Sequence, residues 1–282
     1  MKVVDSISRM STLSRMLKKE GKSIGFIPTM GALHEGHLSL ARTAKKHTDA
    51  VVMSVFVNPL QFGAGEDYER YPRDFKKDEM LAMNAGVDIL FCPSAEAMYP
   101  AGYATYVVVE RLGDALCGAS RPGHFRGVTT VVAKLFGIVR PAVAYFGQKD
   151  AQQAVIVKKM AEDLAMDVEV KVLPIVRDAD GVALSSRNVY LSAEERSDAA
   201  VLYRSLAQAA AMIDAGERDA GKVTAAMRRM IEERPSAKVD YIAIVDRKDL
   251  LPLDPIAGDA LVAVAVRIGK TRLIDNITRK VP

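Results

Sequence analysis

The sequence predicts an α/β fold, a doubly wound parallel sheet followed by a smaller C-terminal α+β domain, and three observations predict it. Apolar runs of strand length alternate with runs of helical period across residues 23–173. The run at residues 50–57 is apolar almost throughout, as a strand buried on both faces of a parallel sheet requires. After Ser192 the order changes to helices first and strands afterwards, the pattern of a segregated α+β unit.

Residues 6–20 carry Ile7, Met10, Leu13 and Leu17 at helical spacing and form an opening amphipathic helix. Residues 23–28 make a short apolar strand closed by Pro28. Residues 36–47 form a helix with His37, Leu40, Ala41 and Ala44 along one stripe, and residues 50–57 form the next strand. Strand, helix, strand is a βαβ unit, and its first connection carries two histidines. The alternation continues with a helix at 75–85, a strand at 88–91, a helix at 128–139, a strand at 142–146, a helix at 151–164 and a strand at 168–173. A Rossmann-like sheet of this kind binds ligands at the carboxyl ends of its strands. Further on, Ser192 and Glu195 form a capping box that opens a long alanine-rich helix. A second helix covers 221–233, and strands follow at 239–245, 261–268 and 271–275, the last two joined by Gly269-Lys270 as a two-residue hairpin loop. The expected domains are 1–176 and 177–282, with no low-complexity linker and no internal repeat.

Composition narrows the function. Hydrophobic residues are 49% and charged residues 26% of the 282, values of a globular chain with a sizeable core. The net charge of +4 is scattered among acids, which disfavours a nucleic-acid partner and suits a local positive cluster facing a polyanion such as ATP. Cys92 and Cys117 form neither a disulfide framework nor a metal-ligand set, so a reducing cytoplasm is expected. Residues 1–10 are polar and mixed, with no apolar run after Lys2, so no secretory signal is expected, and runs such as 50–57 are too short to span a membrane.

The strongest local signal is residues 28–37, Pro-Thr-Met-Gly-Ala-Leu-His-Glu-Gly-His, lying between a strand and a helix. Backbone N–H groups and the positive end of the helix can hold phosphate there, and Gly31 and Gly36 let the chain approach a ligand closely. His34 and His37 can donate to phosphate oxygens as charge builds on a departing pyrophosphate. The competing readings are structural histidines or a metal site. The spacing is not that of the His-Glu-x-x-His helix, and no third ligand is evident. Gly21-Lys22-Ser23 and Gly269-Lys270-Thr271 imitate the end of a P-loop, but Met16 and Val264 stand where its first glycine belongs. Gly63-Ala-Gly65 likewise has Tyr68 in place of the last glycine of a dinucleotide fingerprint.

Weaker clusters follow other strands. Asn58 and Gln61 could fix a small polar substrate or form an ordinary turn. The polar stretch 63–73 reads as a mobile flap. Arg121, His124 and Arg126 suit a carboxylate or phosphate, or a solvated basic turn. Lys149 is a natural phosphate partner, and Asp150 could bind ribose or lie near Mg2+. Ser185, Ser186 and Arg187 offer two hydroxyls and a guanidinium. Polar clusters thus stand at the ends of four expected strands.

His34-Glu-Gly-His37, with Ser185-Ser-Arg187 downstream, resembles the HxGH nucleotidyltransferase group. The wider set at 28–40, 55–62, 71–73, 121–132, 146–153 and 180–188 is similar to the pantothenate synthetase (pantoate–β-alanine ligase) family. That resemblance implies a ligase of pantothenate biosynthesis acting in two steps. Pantoate attacks the α-phosphorus of ATP to give pantoyl adenylate and pyrophosphate, and the amine of β-alanine then displaces AMP. It implies ATP contacts at Met30, Gly31, Ala32, Leu33, His34, Glu35, Gly36 and His37. Further ATP contacts are implied at Gly147, Gln148, Lys149, Asp150, Val176, Leu184, Ser185, Ser186 and Arg187. His37 is the family's assigned proton donor, while both histidines suit electrostatic stabilisation of pyrophosphate. Lys149 and Arg187 would act on the phosphates, and Gln61, Gln153 and Asn58 would hold pantoate and β-alanine. It also implies Mg2+ on the ATP phosphates with no protein ligand assigned, a homodimer, a nucleotide- and pantoate-binding domain at 1–176, and a lid at 177–282. The rivals are an HxGH enzyme acting on a phosphate ester, a nucleotide-sensing regulator, and an RNA-binding module.

Overall fold

The computed structural model describes all 282 residues. Nine strands form: β1 Lys2–Val4, β2 Ile24–Thr29, β3 Ala50–Val55, β4 Ile89–Phe91, β5 Val143–Gly147, β6 Glu169–Leu173, β7 Ala237–Asp246, β8 Gly258–Ile268 and β9 Thr271–Val281. The helices are α1 Ile7–Lys19, α2 Glu35–His47, α3 Phe75–Asn84, α4 Ala95–Met98, α5 Cys117–Ser120, α6 His124–Val139, α7 Ala151–Asp163, α8 Ala193–Ala199, α9 Val201–Asp214 and α10 Ala220–Glu232. The chain divides into two compact units. One comprises Met1–Gly113, Arg121–Gly147 and Ile156–Pro174, the other Asp114–Ser120, Gln148–Val155 and Ile175–Pro282.

In the first unit six parallel strands lie in the order β1-β4-β3-β2-β5-β6. From β2 the chain winds outward through β3 to β4, whereas β5 and β6 lie on the other side. The strand order therefore switches between β2 and β5, where such sheets open a crevice at their carboxyl ends. Phe26, Ile27, Met53, Leu90 and Tyr145 are fully buried, in keeping with strands covered on both faces. Helix α2 buries Leu40, Ala41 and Ala44 of the expected stripe together with Leu38, while His37, expected on that stripe, is only half-buried at the helix start. Strand β1 was not legible: three residues paired with β4 carry no periodic signal. Helix α6 starts at His124, one turn earlier than its spacing suggests. Gly127 there reads locally as a breaker, yet it is what lets α6 pass the turn at 58–61. A Cβ at Gly127 would collide with the Leu60 carbonyl group.

In the second unit β7, β8 and β9 form an antiparallel sheet with β8 central. Leu206, Val223, Met227 and Ile231 of α9 and α10 pack with Val262, Val264 and Val266 of β8 in one core. The expected long alanine-rich helix is interrupted at Ala200, which closes α8 and opens α9. Strand β9 runs to Val281, past the expected end at 275, because Asn276, Thr278, Arg279 and Lys280 hide its alternation. Gly269, at φ 55°, makes the β8–β9 hairpin turn. Side chains of the sheet also hold the two short segments of this unit. The Tyr241 hydroxyl lies 3.2 Å from Cys117 Sγ, and Gln152 donates to the Ala115 carbonyl while accepting from the Cys117 N–H. No helix is long and apolar enough to cross a membrane.

Phe26 has no exposed surface and meets Phe136 edge-on, ring centroids 6.4 Å apart. Phe26→Ala is expected to lower stability by roughly 3–5 kcal/mol, read as a lower urea midpoint at an unchanged slope.

Candidate active site

The turn leaving β2 is built by long-range contacts. Thr29 Oγ1 donates to the Ser54 carbonyl at 2.6 Å and accepts from the Gly31 N–H at 3.1 Å. Gly31 and Ala32 both take positive φ, 81° and 48°, conformations that need outside support at the alanine. Asp78 of α3 supplies it. Its carboxylate is 2% exposed and accepts from the N–H groups of Ala32, at 2.9 Å, and Leu33, at 2.7 Å. Burial pushes the Asp78 carboxyl above its ordinary range, and the two N–H groups pull it back only in part. Only glycine fits at position 31, since a Cβ there would stand 2.8 Å from Asp78 Oδ2 and 2.9 Å from Val55.

His34 caps α2 by accepting from the Gly36 N–H at Nδ1, and His37 Nδ1 accepts from the His34 N–H at 3.4 Å. A neutral ring that accepts at Nδ1 carries its proton on Nε2, so each histidine is a donor at Nε2. Their centroids lie 4.1 Å apart. The N–H groups of Gly31, Ala32, Leu33, His34, Gly36 and His37 all have partners within the protein, so these six peptide donors are already engaged. What the turn offers an anion is imidazole N–H and the positive end of α2. Glu35 is exposed and ion-paired with Arg42, while Met30 stands half-buried next to Gln61.

Beyond β3, Asn58 and Gln61 are buried, 1% and 9% exposed. Asn58 Nδ2 donates to Gln61 Oε1 and to the Gly127 carbonyl, each at 3.0 Å. Its Oδ1 accepts from the Tyr99 hydroxyl at 2.7 Å and the Leu60 N–H at 3.3 Å. Every hydrogen-bonding position of that amide is engaged by the protein, so Asn58 orients Gln61. With Oε1 accepting from Asn58, Gln61 presents its NH2 group, 3.1 Å from Met30 Sδ. Arg121 is engaged as well. It grips Glu66 of the 63–73 segment at 2.7 and 2.5 Å and donates to the Gln61 carbonyl. His124 donates to that carbonyl from Nδ1 and accepts from Arg121 at Nε2. Burial pushes the Glu66 carboxyl up, but the Arg121 hydrogen bonds and charge more than offset this and hold it low. Arg126 stacks over Tyr106, 3.6 Å from the ring centroid. Gly147, the last residue of β5, belongs to the same unit.

The second unit carries the remaining residues. Gln148, Lys149 and Asp150 form a short 3-10 turn ahead of α7, Lys149 half-buried and Asp150 exposed. Gln153 is half-buried in the first turn of α7. Leu184 N–H donates to the Val176 carbonyl, closing a small hairpin through the Arg177–Ala183 bridge. Ser185 Oγ then accepts from the Arg187 N–H, starting the 3-10 turn that bears Ser186 and Arg187. Asp275 and Asn276, which support these segments, and Asp78, which supports the turn after β2, were missed by sequence reasoning. Asp78 reads as an ordinary acid in a helical first turn, and the other two as the polar end of a strand.

The parallel sheet, its switch point and a histidine-capped helix directly after the central strand define an α/β nucleotide-binding enzyme of the HxGH group. The family model for Pantoate-beta-alanine ligase matches residues 2–278, and the chain belongs to that family. The pantothenate synthetase of Heliobacterium modesticaldum is 58% identical over 281 residues, covering 100% of both chains. A crystal structure of pantothenate synthetase from Thermus thermophilus matches with a TM-score of 0.94 at 47% identity, over 98% of this chain and 99% of that one. The pantoate-beta-alanine ligase of Francisella tularensis, complexed with beta-gamma ATP and beta-alanine, matches with a TM-score of 0.80 at 34% identity, over 98% and 97% of the two chains.

Two outcomes follow from this geometry. Asp78→Ala orphans two N–H groups and is expected to cost about 1–3 kcal/mol for each, with weaker ATP binding, checked by urea unfolding and calorimetric titration. Because Glu66 has a lowered pKa, its grip on Arg121 is present above the ordinary 4.5 and is lost as pH falls through the folded value. Protection of the amides of residues 63–73, measured against their intrinsic exchange rate at each pH, is therefore expected to fall on acidification below 4.5, and to be low already at neutral pH in Glu66→Gln.

Proposed function

We propose that this chain joins pantoate to β-alanine with ATP, through a pantoyl adenylate. A carboxylate oxygen of pantoate forms a bond to the α-phosphorus as the bond to the bridging oxygen breaks and pyrophosphate leaves. The β-alanine amine then adds to the acyl carbon, the bond to AMP breaks, and the nitrogen gives up a proton. The observation that carries the residue assignment is the pair of imidazoles, each capped at Nδ1 and therefore donating from Nε2. Two fixed donors at a helix N-terminus favour charge that grows on the departing pyrophosphate.

Lys149 and Arg187 act on the phosphates in this reading, with Gly147, Gln148, Asp150, Val176, Leu184, Ser185 and Ser186 as further ATP contacts. Gln61 and Gln153 hold pantoate. Gln61 presents donors, which suits the oxygen atoms of a hydroxy acid, and Asn58 acts by fixing that amide. Mg2+ is carried on the nucleotide. Mg2+ keeps phosphate and water oxygens and few protein ligands, and Asp150, beside Lys149, is the carboxylate that would lie near it or near the ribose. When bound, Mg2+ screens the charge of the phosphates. A homodimer and a cytoplasmic location belong to the same proposal.

Pyrophosphate release from ATP is expected to require pantoate, and AMP with the amide product to appear only when β-alanine is added. His37→Ala is expected to reduce kcat by about 10²–10³ in a folded protein. ATP binding with no pyrophosphate release under any combination would overturn the reading in favour of a nucleotide sensor.

A further inference from the structure

Strand β9 carries two adjacent buried polar residues, Asp275 and Asn276, each 3% exposed. Burying such groups is costly unless their hydrogen bonds are satisfied. Neighbours on a strand point to opposite faces of the sheet. Asp275 alternates with Leu273, which packs in the core of α9 and α10, and Asn276 alternates with Arg272, which donates to Asp240. One strand can therefore serve two different segments.

Asn276 serves the first. Its Nδ2 donates to the Gln148 carbonyl at 2.9 Å and the Lys149 carbonyl at 3.0 Å, and its Oδ1 accepts from Gln148 Nε2 at 3.2 Å. That demand, two donors and an acceptor on one short planar group, is met by asparagine. Aspartate has the shape without the donors, and glutamine is a methylene longer. Tying two successive carbonyls fixes the peptide planes around Lys149 and so the direction in which its side chain leaves the turn.

Asp275 serves the second. Its oxygens accept from both terminal nitrogens of Arg177, at 2.5 and 2.9 Å, and Oδ1 also accepts from the Asn276 N–H. Arg177 Nη1 donates further to the Gly181 carbonyl, and the guanidinium lies 4.2 Å from the ring centroid of Tyr203. Arg177 is thereby locked as the base of the hairpin that hands the chain to Ser185, Ser186 and Arg187. An ion pair this buried is a weak source of stability, since desolvation offsets most of the attraction, but its two-pronged geometry holds direction well.

We propose that Asp275 and Asn276 are positioning residues for ATP, aligning the Gln148–Asp150 turn and the Ser185–Arg187 turn from one strand. The proposal rests on the reading that Lys149 and Arg187 contact the nucleotide. Initial rates of the full chain, with ATP, pantoate and β-alanine varied in turn, test it in Asn276→Ala, Asn276→Asp, Asp275→Asn and Lys149→Ala. Asn276→Ala is expected to raise KM for ATP about tenfold to a hundredfold, with KM for pantoate and β-alanine unchanged. Asn276→Asp should be as impaired despite its shape, because it cannot donate to the carbonyls. Asp275→Asn, which keeps the shape and loses the charge, should also raise KM for ATP alone, and it reads the proposal if Asn276→Ala does not fold. A fall in kcat that tracks the folded fraction, with every KM unchanged, would overturn the positioning role. So would a loss in Lys149→Ala with none in the β9 variants. No loss in Lys149→Ala itself would overturn the assignment of that turn to ATP, and the proposal with it.

Discussion

Everything at the switch point of the first unit depends on how the chain leaves β2, and that exit is held by one buried carboxylate. Gly31 and Ala32 take left-handed backbone angles in succession, the second of them without a glycine's freedom. Such a bend persists only where its surroundings over-determine it. Asp78 does so by engaging two consecutive N–H groups, with Thr29 engaging the one before. From Leu33 the chain can then enter α2 with His34 as its cap. The order of dependence runs from a helix at 75–84, through two peptide groups, to the direction of two imidazoles.

A similar logic orders the strand-end turn beyond β3. The backbone groups that bond Asn58 are unambiguous, a carbonyl at Gly127 and an N–H at Leu60, so the orientation of the Asn58 amide follows from donor and acceptor chemistry alone. That in turn orients Gln61. The missing side chain at Gly127 is what allows the approach, and the Arg121–Glu66 pair ties the polar 63–73 segment to the same turn. Residues that looked like ligand contacts in isolation, Asn58 and Arg121 among them, are engaged by their own fold. On the proposed function they act by fixing what Gln61 offers.

How legible this was in the sequence depended on the range of each interaction. The parallel sheet was readable because 50–55 is apolar on both faces and because α2 keeps a clean stripe, both local properties. The HxGH turn was readable as a strand-to-helix connection. Its mode of offering a ligand site was not, because whether an N–H is open or engaged depends on Asp78, 45 residues away from Leu33. The break at Ala200 fell inside an unbroken alanine-rich pattern. Residues 114–120 and 148–155 pack with the C-terminal unit through Cys117, Gln152 and Asn276, contacts with no local signature. Sequence reasoning thus named side chains at strand ends and missed the buried residues that hold those turns.

The two units solve the same problem with opposite polarity. In the first, a side-chain acceptor, Asp78, holds peptide N–H groups. In the second, a side-chain donor, Asn276, holds peptide carbonyls. Either way several backbone groups of the turn are engaged by the protein itself. Those groups then need no reorganisation on binding, and on the proposed function the substrate meets side-chain donors of fixed direction, His34, His37 and Gln61. Preorganised donors of that kind favour a charge that develops late over one present from the start, because they are already aimed where it will appear. Fixing the backbone internally is therefore compatible with fast chemistry, because on the proposed function the imidazole N–H groups are already aimed when the charge appears.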